Sequence, residues 1–431
     1  MASSQAVDVA IVGAGATGLV AANYLAERGA RVVLIEAAAQ VGGRLATDRA
    51  GAYQFDRGFQ VLQTAYPAVQ RWLDLTALGV RAFRPGAHIL LPDRTATVVA
   101  DPLRAPSALA QTLTSPIATL LDKLRLARLL LYVRSRACAE LFAGPESTTE
   151  RFLREYGFSA SFVDFFFRPF YGGIFLESAL RTSARFFLFT LKMFAEGDAV
   201  LPRDGIQAVA QQLADRLPPG ALRTSSAATE MRADRVVLAG GEQVLAKAVL
   251  DCRAAGAPHS AEAWRQTVQV YFAALGTRLP LDIITLAPTA GGVSNVSVLD
   301  GVQRAYASDG SRLVGVSLEV PLGLGLDAYA ASARTALRPW LGREVDGWRA
   351  LRHYEIEYAL PAVAGMRWTA DPVDWVHDGV LRAGDYRLHP SLQGAMHAGE
   401  LAGQWAARRV ARLSVDEKGT AARMRAVPSG V

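Results

Sequence analysis

The residues best suited to chemistry stand near the start of the chain. Gly13-Ala14-Gly15-Ala16-Thr17-Gly18 spaces three glycines as G-x-G-x-x-G, and Glu36 follows eighteen residues after Gly18. In such a loop Gly13 permits a tight turn, Gly15 lets backbone approach a pyrophosphate, and Gly18 lets a helix pack close to a strand. The helix that Ala16 and Thr17 open would supply free N–H groups and partial positive charge for phosphate. A carboxylate at Glu36 accepts both ribose hydroxyls of a dinucleotide and repels a 2′-phosphate, which disfavours NADP. A glycine turn by itself is weak evidence. Here an apolar strand (residues 7–12, VDVAIV), the loop, a helix closed by Glu27-Arg28-Gly29, a second strand (31–36, RVVLIE) and the acid arrive in order, so a βαβ dinucleotide site is expected.

Two further motifs narrow the dinucleotide. Val41-Gly42-Gly43-Arg44 lies just beyond Glu36, followed by Asp56-Arg57-Gly58 with Phe59 and Gln60 next. Near the other end come Ala383-Gly384-Asp385 and Ser391-Leu392-Gln393-Gly394-Ala395-Met396-His397-Ala398-Gly399-Glu400. On these residues the chain resembles the flavin family of amine oxidases, protoporphyrinogen oxidases and phytoene desaturases. The resemblance implies non-covalent FAD, with Gly43 and Arg44 along the pyrophosphate, where arginine offers a bidentate fork. It also implies a turn at Gly58, Phe59 and Gln60 near the flavin ring, and Asp385, after Gly384, on a ribityl or phosphate-linked hydroxyl. Gln393, Gly394 and Ala395 would open a helix toward the flavin's pyrimidine edge, where a helix N-terminus stabilises negative charge. By position Ala228 would present backbone to adenine.

Between these ends the resemblance is looser. Phe165-Phe166-Phe167-Arg168-Pro169-Phe170-Tyr171-Gly172-Gly173 and Lys192-Met193-Phe194-Ala195-Glu196-Gly197 look more like desaturase-type members than monoamine oxidases. Flavin accepts a hydride without a protein acid or base, so the protein mainly positions substrate and excludes water. No catalytic dyad is found. Lys192 compares with the lysine that amine oxidases hold near the flavin through water, or else flanks a helix; Tyr171 lines a cavity or fills a core. His397 reads as a packing residue. The expected reaction takes hydride from a hydrophobic C–H or C–N substrate and passes electrons to oxygen or a quinone, since the chain has one dinucleotide loop. The alternatives are an amine oxidase releasing hydrogen peroxide, a non-redox flavin isomerase, and an escort-type binding protein.

The elements that position these groups follow from pattern. The expected fold is α/β, a Rossmann-like FAD domain of the glutathione reductase type from 1–75, 200–260 and 355–431, with an inserted α+β substrate domain from 76–199 and 261–354. Residues 76–200 have helical spacing, Gly240-Gly241 turns a strand pair, and 262–320 alternates β segments. The last segment reads as a long helix with Leu392, Met396, Trp405 and Val410 on one face.

Composition sets the outer bounds. The 431 residues, 51% hydrophobic and 20% charged, suit a globular chain. The net charge of +6 comes from scattered arginines with no basic run interleaved with aromatics, so no nucleic-acid partner is expected. Cys138 and Cys252 are too few for a disulfide framework or a zinc site, and neither falls in the closing motif where a flavin would attach. Cytoplasmic residence follows as the expectation. Leu121–Arg136 reads either as a solvated helix or as one resting peripherally on a membrane.

Overall fold

The structure is a computed structural model that describes residues 4–100, 104, 109–254 and 263–425. By its contacts the chain divides into two compact units. One comprises Met1–Gly43, Ala210–Pro258 and Thr369–Val431, the other Arg44–Val209 and His259–Trp368. The boundaries expected at 75, 200 and 355 thus differ from the divisions at 43, 209 and 368, while the one expected at 260 lies outside the described residues. Residues 44–75 group with the second unit because the strand Tyr53–Asp56 ends in a carboxylate bonded to Tyr306 and to the Ile206 amide.

The first unit is a mostly parallel sheet. Strand β1 (Ser4–Val12) pairs in parallel with β2 (Val32–Ile35) on one side and with Gln243–Asp251 on the other. Leu222–Arg223 extends it beyond β2, and Val380–Arg382 runs parallel to the last residues of Gln243–Asp251. The first half of Gln243–Asp251 pairs antiparallel with Arg235–Leu238 across the expected Gly240-Gly241 turn. Strands of a parallel sheet are covered on both faces, hence their unbroken apolar runs: Val9, Ala10, Ile11, Val33, Leu34 and Ile35 are all buried.

Helix α1 (Ala16–Ala26) packs on this sheet and buries nine of its eleven residues. The closing helix, Leu392–Arg425, lies against α1. Small residues make that approach possible, since a methyl on Gly399 would collide with the Thr17 carbonyl oxygen and one on Gly403 would meet the Tyr24 ring.

The second unit has a seven-stranded sheet in the order Arg349–Pro361, Trp264–Ala274, Arg312–Leu318, Val293–Val298, Ile284–Leu286, Ala87–Leu90 and Ala96–Val99. All pairings are antiparallel except that of Ile284–Leu286 with Ala87–Leu90. Helix Leu326–Leu341 covers one face, setting Tyr329, Ala330, Ala333 and Leu337 against Val268, Val270, Val314 and Val316. Helices Leu120–Arg134, Arg168–Phe175 and Ala184–Glu196 build a separate aromatic core around Phe162, Phe167, Phe187 and Phe189. The first unit has the α/β, Rossmann-type sheet that the motifs imply, and the second unit carries a mixed sheet.

Candidate cofactor site

Parallel strands deliver their C-terminal ends to one edge of a sheet, and ligands of open α/β folds bind there. In the first unit that edge collects Gly13 after β1, Glu36 after β2, Asp251 at the end of its strand, and Gly384-Asp385 just after Val380–Arg382. Strands of one sheet lie about 4.8 Å apart, so Glu36 and Asp385 stand three such steps from each other along a shared rim.

The glycine loop has the geometry a pyrophosphate needs. Gly13 has φ of 100°, a conformation L side chains rarely adopt, and the Cys252-Arg253 backbone passes just beyond it. A methyl on Gly18 would collide with the Gly13 carbonyl, so this glycine lets α1 sit on the strand end. Gly15 is different. A methyl there would project into open space, with the Gly42 carbonyl oxygen as its nearest neighbour at 3.9 Å. Gly42 holds the loop from the side through its N–H to the Ala14 carbonyl, 2.8 Å, and Gly43 follows with its Cα open toward Gly15. Helix α1 starts at Ala16 with no side-chain cap and no acid in its first turn, so the amides of Ala16, Thr17 and Gly18 lack a capping side chain.

Glu36 is held by backbone. Its Oε2 accepts from Ala14 N–H and its Oε1 from Ala38 N–H, both at 2.8 Å. Each carboxylate oxygen keeps a further lone pair for a ribose hydroxyl. The Ser226 amide donates to the Glu36 carbonyl, so the chain two residues before Ala228 runs alongside the acid, and half-buried Ala228 opens the strand Ala228–Arg232.

The closing helix begins with Ser391, whose Oγ accepts from Gly394 N–H at 3.0 Å as an N-cap. Gln393 and Ala395 are buried, and Gly394 abuts the His389 carbonyl so closely that a Cβ would not fit. Thr17 Oγ1 donates to the Ala395 carbonyl at 2.9 Å, joining the two glycine-rich helix starts. An open Gly15, an uncapped helix start and a backbone-held carboxylate together fit the ADP half of a dinucleotide.

The profile of the flavin containing amine oxidoreductases matches residues 16–252, more than half of the chain. The chain belongs to the flavin containing amine oxidoreductase family. Protoporphyrinogen oxidase 2 of Arabidopsis thaliana is 32% identical over 178 residues, 38% of this chain and 32% of that protein. The match therefore spans about a third of the length of that curated relative. Among solved structures, putrescine oxidase bound to putrescine superposes with a TM-score of 0.65 at 16% identity, over 95% of this chain and all of that one. An oxidoreductase from Methanosarcina mazei gives 0.67 at 14% identity, over 93% and 100%. At such identities the likeness is one of fold alone. FAD is the cofactor of this flavoprotein.

The stretch from Arg44 to Gln60 falls in the second unit. Asp56 is a hub: its buried carboxylate accepts from Thr47 Oγ1 (2.6 Å), Tyr306 OH (2.6 Å) and the Ile206 amide (2.9 Å). Burial pushes its acidity weaker than an ordinary aspartate, against those three donors. Tyr271 OH donates to the Asp56 carbonyl, and Gly58 follows with φ of 104°. Gln60 clamps the same turn through its Nε2, which donates to the Arg44 and Arg57 carbonyls. Phe59 packs edge-on to Phe83, and Arg44 donates to the Ala359 carbonyl at 3.1 Å while lying over Trp264.

Two side chains weighed as catalytic are placed otherwise. Lys192 is buried, and its ammonium donates to the Val133 and Arg134 carbonyls and to Glu196, which uses all three of its hydrogens. It pins two helices and has no donor left for a flavin-side water. Tyr171 is buried among Phe167, Phe170, Phe175 and Phe187, and burial raises its hydroxyl far above the ordinary tyrosine range. His397 pairs with buried Glu400 at 3.1 Å.

Sequence reasoning missed several residues. Asp251 ends its strand at the same rim and holds Arg253 in a two-point ion pair. His389 is wholly buried, 3.0 Å from Ser391 Oγ, and burial lowers its pKa to about 3, so it is neutral there. Only Ser391 carried a readable signal, a serine three residues before the amide it caps.

Proposed function

We propose that the chain is an FAD-dependent oxidoreductase that removes hydride from a C–H bond, beside carbon or nitrogen, of an apolar small molecule and passes the electrons to oxygen or a quinone. The observation that carries this reading is the shared rim of Gly13, Gly15, Glu36 and Asp385 in the first unit. FAD bound there supplies the hydride acceptor. The chain's own residues then hold and orient: the Gly15 and α1 amides take phosphate, Glu36 takes the ribose, and the Ser391-capped helix start sets its dipole toward developing negative charge.

Support for an apolar substrate comes from the second unit's aromatic helices. Phe166 and Phe170 stack on each other with rings 5.7 Å apart and are only partly buried, as are Phe165 and Ile174 beside them. Engagement of the Lys192 ammonium by three protein acceptors favours dehydrogenation over the lysine-and-water arrangement of an amine oxidase. Anaerobic mixing of the FAD-loaded protein with a polyene, a protoporphyrinogen and putrescine tests the reading by loss of the oxidised-flavin absorbance. Bleaching by the polyene or the porphyrinogen is expected. Bleaching by putrescine alone overturns the substrate class, and a protein unable to take up FAD overturns the whole reading.

The second unit also supports contact with an anionic membrane surface. No helix among the described residues is long and apolar enough to cross a membrane. Helix Leu120–Arg134, however, turns Leu120, Leu121, Leu124 and Leu131 outward, the first 70% exposed. Its one acid, Asp122, is buried and spent on Thr119 and Ser159, whereas Lys123, Arg125, Arg128 and Arg134 leave the helix cationic. Acyl chains and anionic headgroups match that pairing. Co-sedimentation with vesicles rich in phosphatidylglycerol is expected, and its persistence in the Leu124→Glu/Leu131→Glu variant overturns this placement.

A further inference from the structure

Arg349–Pro361 forms an edge of the second unit's sheet and pairs with Trp264–Ala274. In a regular strand, residues three apart face opposite sides. Here the register shifts: Arg352 stands opposite Tyr271, Ala350 opposite Phe272, and Arg349 opposite Ala273, which leaves Leu351 as the extra residue of a bulge. Because Tyr271 and Ala273 point to one face, the bulge brings Arg349 and Arg352 onto that same face. Bulges of this kind re-aim side chains.

Both arginines line a cavity of about 320 Å³, together with Gly51, Tyr53, Phe55 and Leu351. The rings of Tyr53 and Phe55, with centroids 5.9 Å apart, form an apolar wall, and the Arg352 guanidinium lies near the rings of both Phe55 and Tyr354. The two arginines carry ten N–H donors between them. Arg349 spends one on the Tyr53 hydroxyl, 3.4 Å away. Arg352 makes no side-chain hydrogen bond among the described residues. The acid facing it, Asp48, stands 3.7 Å off and is already gripped by Arg57 through two bonds and by Tyr354 OH. Asp309, the acid beside Tyr53, is likewise taken by Tyr53 and Ser311. Two cations thus share an aromatic-walled cavity, where Asp48 pairs with Arg352 only at 3.7 Å and gives its hydrogen bonds to Arg57 and Tyr354.

We propose that this cavity is a binding site for a small organic anion, its carboxylate or phosphate gripped by Arg349 and Arg352 and its flat apolar body laid against Tyr53 and Phe55. Guanidinium forks match both headgroups, and the cavity has room for a ring. The site is independent of the flavin reading.

The experiment uses the full-length FAD-loaded protein and ligand-observed NMR with phenyl phosphate, benzoate, inorganic phosphate and benzyl alcohol. Phenyl phosphate and benzoate should bind. Inorganic phosphate, lacking the ring, and benzyl alcohol, lacking the charge, should each bind at least about tenfold more weakly, and the flavin absorption should stay unchanged throughout. Arg349→Gln/Arg352→Gln should weaken phenyl phosphate by about tenfold or more with an unaltered melting temperature. Arg349→Gln, a change at an exposed side chain, should show part of that loss even if the double variant folds poorly. Equal binding by wild type and Arg349→Gln, a perturbed flavin spectrum on titration, or absence of binding up to about 10 mM overturns the site.

Discussion

The hydroxyl of Thr17 donates to the carbonyl of Ala395 across 378 positions of sequence, at 2.9 Å and away from solvent. One partner lies in the first turn of α1 and the other in the first turn of the closing helix. The bond therefore sets the relative position of two helix N-termini, the features that give the first unit its positive rim.

Thr17→Val keeps the shape and removes the hydroxyl's bond to the Ala395 carbonyl, which keeps its place in the helical ladder. It should cost about 0.5–1.5 kcal/mol in denaturant unfolding, and it should weaken FAD retention because the two helix starts lose their tie. Full stability together with full flavin occupancy would argue that the bond is incidental.

Glu36→Arg replaces an acceptor with a cation where ribose hydroxyls must be received, and it also removes the acceptor of the Ala14 and Ala38 amides. Gel-filtered variant should emerge with at least about tenfold weaker FAD binding, corresponding to 1.4 kcal/mol or more. Gly15→Val, whose side chain enters the open space beside Gly42, should do likewise with little change in apoprotein stability. Yellow, active Gly15→Val protein would move the pyrophosphate elsewhere.

Asp56 gives a pH signature. Its carboxyl is pushed above the usual 3.8 by burial, so below that value both folded and unfolded chains hold the proton. As pH rises the unfolded chain loses its proton first, and the folded state loses stability until its own carboxyl titrates. Asp56→Asn lacks this term. Its melting temperature relative to wild type should therefore improve from pH 4 upward; a pH-independent difference would contradict the assignment. Asp56→Ala, which strands the Tyr306, Thr47 and Ile206 donors, should cost about 3 kcal/mol or more.

His389 titrates the other way. Burial lowers it from 6.5 to about 3, so between those values the unfolded chain takes up a proton that the folded chain refuses. Its contribution is intact above pH 6.5 and declines as pH falls, by at most about 1.4 kcal/mol per pH unit. His389→Gln should flatten the acid side of the stability curve, measured by urea unfolding from pH 7 to pH 4. Superimposable slopes for the two proteins would count against a neutral buried imidazole.

Lys192→Met should preserve the flavin spectrum and the rate of flavin reduction while lowering stability, since the ammonium ties the carbonyls of Val133 and Arg134 to Glu196. A variant that folds well but reduces its flavin at least about a hundredfold more slowly would restore Lys192 to the chemistry.

The amino-acid sequence alone determined the βαβ start, the acid that follows it and the glycine-rich opening of the closing helix. Each is a local device whose residue types are dictated by a turn, a close backbone approach or a helix end. Family and cofactor were legible for the same reason. Asp56 stood in a quoted motif, yet its role as a hub was not visible, because Thr47, Ile206, Tyr271 and Tyr306 reach it from four separate segments. Lys192 and Tyr171 had the right residue types for catalysis, and only packing showed one ammonium fully bonded and one phenol enclosed in phenylalanines. The cavity between Arg349 and Arg352 was likewise hidden, because strand alternation predicts opposite faces and the bulge at Leu351 reverses that by pairing with a distant strand. Local backbone chemistry is written in residue type and spacing, whereas burial, register and the sharing of donors depend on which distant segments meet.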